Sequence, residues 1–559
     1  MRKKQFHIRS SFCGTGLIIG ALFFAASLTP SLIPRNYVFQ GILAGVAFGS
    51  GYGIGVLLRW LWLYLELPTL NAQALKYAKA ITAVICLSIM LVALYQTASW
   101  QNSIRSVMNM APVESGYPFS VSALALVSFG VLLLLARGMI VLGRIIINTL
   151  NRYLPRRVSI IIGSAMTFAL IFTIANGVLV EYAFRVLDSS FQRFDALVEP
   201  DRPQPLIAER AGNPQSKLDW RKLGRAGREF VASGPTASEI SHFNKRTALE
   251  PIRLYAGLQI ADTPEERAEL LLSELIRTGA FDRAVLVVIT PTGTGWVDPS
   301  AIDGLEFLFD GNIASVALQY SYLNSPLSLI FQPEKGLASS QALFRAVYDH
   351  WKKLPVDQRP ELYLHGLSLG AFNSQRSITF FDILGDPING AVWSGPPFPS
   401  EKWRSLTKNR DAGSTEWLPV FQNGRFVRFM NQNGTPEGNT AQWGNTRFVY
   451  LQYASDAIVF FDKSLAYREA NWMKSPRGPD VSPMLGWYPV VSMLQLLIDM
   501  PLADTVPIGY GHVYAPDHYL NAWLNATGID SWKAEDIEAL KKHLNSRALR
   551  EDGYEHRGG

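Results

Sequence analysis

Cysteine is nearly missing from this 559-residue chain, which has two, Cys13 and Cys86. Both lie inside long apolar runs, and nothing after residue 86 carries a thiol. A disulfide framework and a cysteine metal site are therefore excluded for the C-terminal part. The His, Asp and Glu residues show no HExxH and no other metal spacing, so neither a metal nor another cofactor is expected. Acidic residues are scarce early on. Residues 1–187 hold 3 Asp+Glu against 15 Lys+Arg, whereas the remainder holds 43 against 37. The basic balance, a formal net charge of +6 and a pI of 9.1, thus belongs to the first third. Those cations sit between apolar runs and form no patch, which excludes a nucleic-acid partner. Internal repeats and low-complexity tracts are also absent.

Apolar sequence is abundant. Hydrophobic residues make up 48% of the chain and mean hydropathy is +0.09. Five long runs account for this, at residues 12–28, 38–58, 81–98, 121–136 and 158–180. None contains Asp, Glu, Lys or Arg. Each approaches the roughly 20 residues a helix needs to cross a bilayer. The first 190 residues are therefore expected to form an all-α transmembrane bundle of about five helices. The first run reads as retained, with a cleaved signal peptide as the alternative.

Lys and Arg set the orientation. With the N-terminus inside, the inner segments hold Arg2, Lys3, Lys4 and Arg9, then Arg59, Lys76 and Lys79, then five arginines between 137 and 157. The outer loops hold Arg35 and Arg105. This asymmetry predicts a cytoplasmic N-terminus and an extracytoplasmic location for everything after about residue 185. The absence of Asp and Glu from the runs argues against a proton-coupled transporter, whose relays need ionisable groups in the membrane.

Residues 191–250 read as a connector and 251–559 as a globular α/β domain. Strands are expected at 251–258, 284–290, 315–320, 362–364, 390–393 and 447–453. Helices are expected at 264–278, 339–354 and 516–526. Strands alternating with helices predict a doubly wound, mostly parallel sheet. Two stretches interrupt the pattern, near 396–445 and 463–507, and read as insertions. The apolar segment 490–500 reads as a core-facing helix, with a membrane-facing lid as the alternative.

The chemistry centres on Gly366-Leu367-Ser368-Leu369-Gly370. It follows an apolar strand and precedes a helix, the setting in which a sharp turn lifts a serine hydroxyl clear of a sheet. An acyl-transfer serine needs a base and a group to orient that base. Asp456 follows the strand at 447–453, and His512 follows in a glycine-flanked loop, giving the order Ser, Asp, His. Asp462 is the second candidate acid. His518, His365, His242, His350 and His543 read as structural or surface residues. Oxyanion donors are expected from the backbone N–H of Leu369 and of Thr292 or Gly293, since Pro291 has none.

Together, several segments resemble a bacterial family of membrane α/β-hydrolases, which have N-terminal transmembrane helices and a C-terminal serine-hydrolase domain. They are Gly227-Arg228-Glu229-Phe230-Val231, Thr292–Pro299 (TGTGWVDP), HGLSLG at 365–370, Val392–Phe398 (VWSGPPF), Tyr453-Ala454-Ser455-Asp456, and Gly511–Tyr514 with Pro516–Tyr519. The resemblance implies Ser368 as nucleophile, Asp456 as acid and His512 as base. It also implies a multi-pass protein of the cell (inner) membrane and leaves the substrate open. The anchor and the Trp-rich insertions point to an ester in a lipid or acylated envelope substrate. A transacylase with the same triad, or an inactive membrane receptor or scaffold, is the alternative. Oligomeric state is not legible.

Overall fold

The structure, a computed structural model, describes residues 12–68, 71–174, 177, 188–193, 195–198, 202–379 and 384–551. The chain forms two units. One joins Met1–Glu181 to Phe461–Val506, and the other joins Tyr182–Phe460 to Pro507–Gly559.

The first unit contains helices α1 (Gly14–Ser27), α2 (Tyr37–Tyr64), α3 (Ala72–Val107), α4 (Pro118–Leu150) and α5 (Arg156–Thr173). Asparagines start two of them. Asn36 accepts the Val38 and Phe39 N–H groups, and Asn71 accepts that of Ala74. Helices α1 and α2 meet through small residues. A Cβ at Gly51 would stand 2.8 Å from the Ile19 carbonyl oxygen, and one at Gly55 2.6 Å from Gly16 Cα. Elsewhere these helices present apolar side chains outward, as Tyr95, Leu126 and Ile161 do.

Among the described residues four helices, α2 to α5, are long and apolar enough to cross a membrane. About five were expected, and the first of them, α1, is the one that falls short within the described residues. Within the described residues α1 has 14 residues, or about 21 Å at the helical rise, short of a bilayer core of about 30 Å. Pro30 and Pro34 follow it in sequence, and proline cannot continue a helix interior. The end of the 158–180 run lies largely outside the described residues.

In the second unit, strands and helices alternate from residue 252 on. Helices α6 (Gly224–Ser233) and α7 (Ala237–Asn244) precede β1 (Ile252–Ala256). Then follow α8 (Pro264–Arg277), β2 (Val285–Thr290), α9 (Pro299–Leu308), β3 (Ile313–Leu318), α10 (Ser325–Phe331), α11 (Pro333–Trp351), β4 (Glu361–Leu367) and α12 (Leu369–Ser377). Next come β5 (Gly390–Ser394), α13 (Glu401–Lys408), β6 (Val427–Met430), β7 (Arg447–Leu451) and α14 (Ala457–Phe460). Helix α15 (Val491–Asp499) belongs to the first unit. Helices α16 (Pro516–Thr527) and α17 (Ala534–Glu551) close the second.

Among the described residues seven strands form one sheet in the order β1-β3-β2-β4-β5-β7-β6. Every neighbouring pair is parallel. Apart from exposed or half-buried positions in β4, β6 and β7, strand residues are buried, as a sheet covered on both faces requires. Helices α8, α11 and α12 pack together, and α9, α16 and α17 form a second group. Arg253 in β1 binds Glu306 at 2.7 Å and Asp303, tying the sheet to α9.

The strand order fans out from β2 and β4. From β2 the chain crosses to β3 on one side, and from β4 it crosses to β5 on the other. That divergence opens a crevice at the carboxyl ends of β2 and β4, where doubly wound sheets bind ligands.

Three expectations about organisation are modified. The 191–250 connector carries α6 and α7. The 396–445 stretch supplies β6, an outer strand of the sheet. The 463–507 stretch folds with the first unit, where α15 packs on α1 and α2. There Gln495 donates to the Thr29 carbonyl at 3.0 Å, and Asp499 accepts the Leu32 N–H at 3.1 Å.

Candidate active site

Strand β4 delivers Ser368 to the turn before α12. Its φ of 56° and ψ of −125° put a non-glycine residue in a sparsely populated region, a strain of about 1–3 kcal/mol that a rigid surround must hold. The surround leaves no room for larger neighbours. A Cβ at Gly366 would stand 2.5 Å from the Gly370 carbonyl carbon, and one at Gly370 would run into the carbonyl oxygen of Thr290. The turn thus sits against the end of β2, inside the crevice. Ser368 donates its N–H to the Ser394 carbonyl at 3.0 Å and is buried.

Asp456 lies beyond the end of β7, fully buried. Its Oδ1 accepts the Ile458 N–H at 2.9 Å, so the residue also starts α14. Its Oδ2 accepts from His512 Nδ1 at 2.6 Å and from the Tyr514 hydroxyl at 2.8 Å. A carboxylate receiving Nδ1–H fixes the imidazole tautomer with the lone pair on Nε2. His512 sits on a tight loop in which Gly509 donates to Val513 O at 2.8 Å and Val513 to Tyr510 O at 3.1 Å. Gly509 and Gly511 take φ of 92° and 55°, which glycine adopts without a side-chain clash.

Strand β5 links the serine to the histidine. Ser394 holds the Ser368 N–H. The next residue, Gly395, has φ of 50°, and a Cβ there would stand 2.5 Å from His512 Cε1. The end of β5 therefore lies between the elbow and the imidazole. Ser368, Asp456 and His512, drawn from three separate stretches of sequence, gather at this end of the sheet.

Leu369 is the first residue of α12, where helical N–H groups lack intrahelical acceptors. The expected second donor needs correction at Thr292, whose N–H is turned inward to the Trp296 carbonyl at 3.0 Å. Gly293 instead donates to Ser325 Oγ at 3.2 Å, a long bond to an exchangeable hydroxyl.

The competing residues are engaged elsewhere. Asp462 accepts the Ser464 N–H at 2.8 Å and starts a short turn in the first unit. His365 is buried between β4 and α16, its ring against Tyr519 and Trp523 and its Nδ1 at 2.8 Å from the Val392 carbonyl oxygen, and burial pushes its pKa down to about 4. His518 Nδ1 meets the Tyr453 hydroxyl at 2.6 Å, and burial lowers its pKa too. His350 packs on Phe281, and His543 packs on Phe243 and Phe307.

Sequence reasoning missed Tyr514, Gly395 and Ser455. Tyr514 carried one sequence signal, its place two residues after His512, just past the turn that holds the histidine. Gly395 follows a strand directly, another position where close approach favours glycine. Ser455 carried no signal.

Residues 252–540 match the model of a family described as the alpha/beta-hydrolase family, and residues 28–235 match the model of that family's N-terminus. No curated protein and no solved structure matches the chain.

Proposed function

Because the chain belongs to the alpha/beta-hydrolase family, which carries hydrolase-like activity, we propose that it is a membrane-anchored serine hydrolase acting on an ester of a lipid or acylated envelope component. The observation that carries this reading is the 2.6 Å contact between His512 Nδ1 and Asp456 Oδ2, with the His512 ring against Gly395 and Ser368 held by Ser394.

In this reading Ser368 Oγ attacks the ester carbonyl while His512 Nε2 takes its proton. The tetrahedral oxyanion receives the Leu369 N–H, and it receives the Gly293 N–H once the substrate oxygen replaces Ser325 Oγ. Asp456 keeps the imidazole oriented and stabilises its charged form. The imidazolium then protonates the leaving alcohol as the C–O bond breaks, leaving an acyl-enzyme. Water, deprotonated by His512, releases the acid and restores Ser368. An acceptor alcohol in place of water would make the same machinery a transacylase.

The membrane placement rests on α2 to α5 and on the Lys/Arg bias. Within the first unit, the α1–α2 turn contacts the 461–506 segment through Leu32 and Asp499, and the end of α3 contacts it through Ser103 and Ser482, 2.7 Å apart. That segment continues directly into Asp456 on one side and toward His512 on the other. The Lys/Arg bias alone supports a hydrolase domain on the side opposite the N-terminus, hence extracytoplasmic. One of the two cations on that side, Arg35, is buried, which strengthens the bias in exposed charge.

Membranes bearing the full chain are treated with a fluorescent fluorophosphonate. Labelling of the wild type that vanishes in Ser368→Ala supports the reading. No labelling of the wild type, beside a control hydrolase that labels, contradicts it and favours an inactive receptor or scaffold.

A further inference from the structure

We propose that Tyr514 is a positioning residue that tunes the base through Asp456, an assignment that rests on the triad reading above. The Tyr514 hydroxyl donates at 2.8 Å to Asp456 Oδ2, the same oxygen that receives His512 Nδ1 at 2.6 Å. The two donors therefore divide one oxygen's charge, while Oδ1 is committed to the Ile458 N–H.

The phenol is built to stay there. Tyr514 is buried, and its ring stacks on Tyr453 with centroids 4.5 Å apart at 21°. Tyr453 is itself pinned, since its hydroxyl accepts the Ala515 N–H at 3.0 Å and meets His518 Nδ1. The His512 ring stands edge-on to Tyr514, centroids 5.7 Å apart. The ionisable groups around the phenol are Asp456, Tyr453, Tyr519 and His512, with His518 one step further out behind Tyr453. Burial pushes the Tyr514 pKa well up, and the charge of Asp456 adds to this, so the hydroxyl remains a donor wherever the imidazole titrates.

A hydrogen-bond donor to a carboxylate lowers the charge density it offers to other partners. With Tyr514 in place, Asp456 holds the imidazolium less tightly, so His512 stays neutral and able to accept a proton at lower pH. The phenol also fixes the direction of the Oδ2 lone pairs and thereby the imidazole plane. Removing the hydroxyl reverses the first effect and loosens the second.

The test measures the rate of fluorophosphonate labelling against pH on the solubilised full-length protein. Tyr514→Phe keeps the ring packing. Its labelling midpoint is expected to move up by roughly half to one pH unit, and its rate at pH 7 to fall about tenfold. Tyr514→3,5-difluorotyrosine, a stronger donor of the same shape, is expected to move the midpoint down, and it serves equally if the Phe variant does not fold. In an Asp456→Asn background, Tyr514→Phe should cause no further change. A wild-type midpoint and rate in Tyr514→Phe, an unmoved midpoint in the fluorinated protein, or an undiminished effect in the Asn background would overturn the proposal. If the wild type itself fails to label, the triad reading fails instead, so the two failures are distinguishable.

Discussion

Gly511 donates its N–H to Ser455 Oγ at 2.9 Å, which joins the loop bearing His512 to the loop bearing Asp456. These loops come from opposite ends of the 461–506 excursion into the first unit. Together with the His512–Asp456 contact, the bond ties base and acid loops to each other.

Ser455→Ala leaves the buried Gly511 N–H without that acceptor. We expect a loss of about 1–2 kcal/mol in stability and a fall in labelling rate of about tenfold, since a small displacement of the imidazole is costly. Denaturant titration and probe kinetics measure the two. An unchanged labelling rate would remove the bond from the account.

Gly395→Ala places a methyl against His512 Cε1 at a position whose φ of 50° already disfavours any side chain. Labelling should drop by about a hundredfold or more, with folding retained by circular dichroism. Wild-type labelling would mean that the imidazole does not occupy this position in the working enzyme.

Arg35 and Asp499 are both fully buried in the first unit, with Nη1 and Oδ1 3.8 Å apart. Burial lowers the arginine pKa and raises that of the carboxylate, each opposed by the partner's charge. Removing one partner strands the other, so Arg35→Met or Asp499→Leu should each cost about 3–5 kcal/mol, whereas the double variant should recover most of that loss. Thermal unfolding in detergent measures this. Additive losses would show that the two do not act as a pair.

His365 gives an acid-side prediction. Its pKa is pushed down to about 4 in the fold against an ordinary value of 6.5. The unfolded chain therefore binds a proton before the folded one does. The stability linked to this group is fully present above pH 6.5 and is lost as pH falls from 6.5 to about 4, by about 3 kcal/mol in all. In His365→Leu that slope should shrink, as read from denaturant midpoints across the pH range. An identical slope would place the acid sensitivity elsewhere.

Much of this was legible in the sequence because burial on two faces leaves continuous apolar strands. The strands at 252–256, 285–290, 313–318 and 361–367 fall close to expectation for that reason. Helix α8 fits the expected 264–278 span, and a capping box between Thr263 and Glu266 starts it. Helix α9 escaped notice because nine of its ten residues are buried, which erases the amphipathic period. Strand β6 escaped because it is short and lies at an edge, with Arg428 in its middle. The docking of α15 on α1 was illegible in principle, since Gln495 and Thr29 are 466 residues apart and neither carries a pattern. At the site, Ser368, Asp456 and His512 were singled out from strand ends and loop glycines, and the structure brings them to one end of the sheet. Which N–H of the 292–293 pair faces the site was not legible, because a backbone N–H can turn into its own loop, as that of Thr292 does.

The central claim is that Ser368 is the nucleophile activated by His512. The most direct measurement is to react the full-length protein with a fluorophosphonate and locate the adduct by tandem mass spectrometry of its peptides. The account predicts a single phosphonyl group on Ser368, formed in the wild type and lost in His512→Ala. An adduct on another residue, or equal modification of Ser368 without His512, would contradict it.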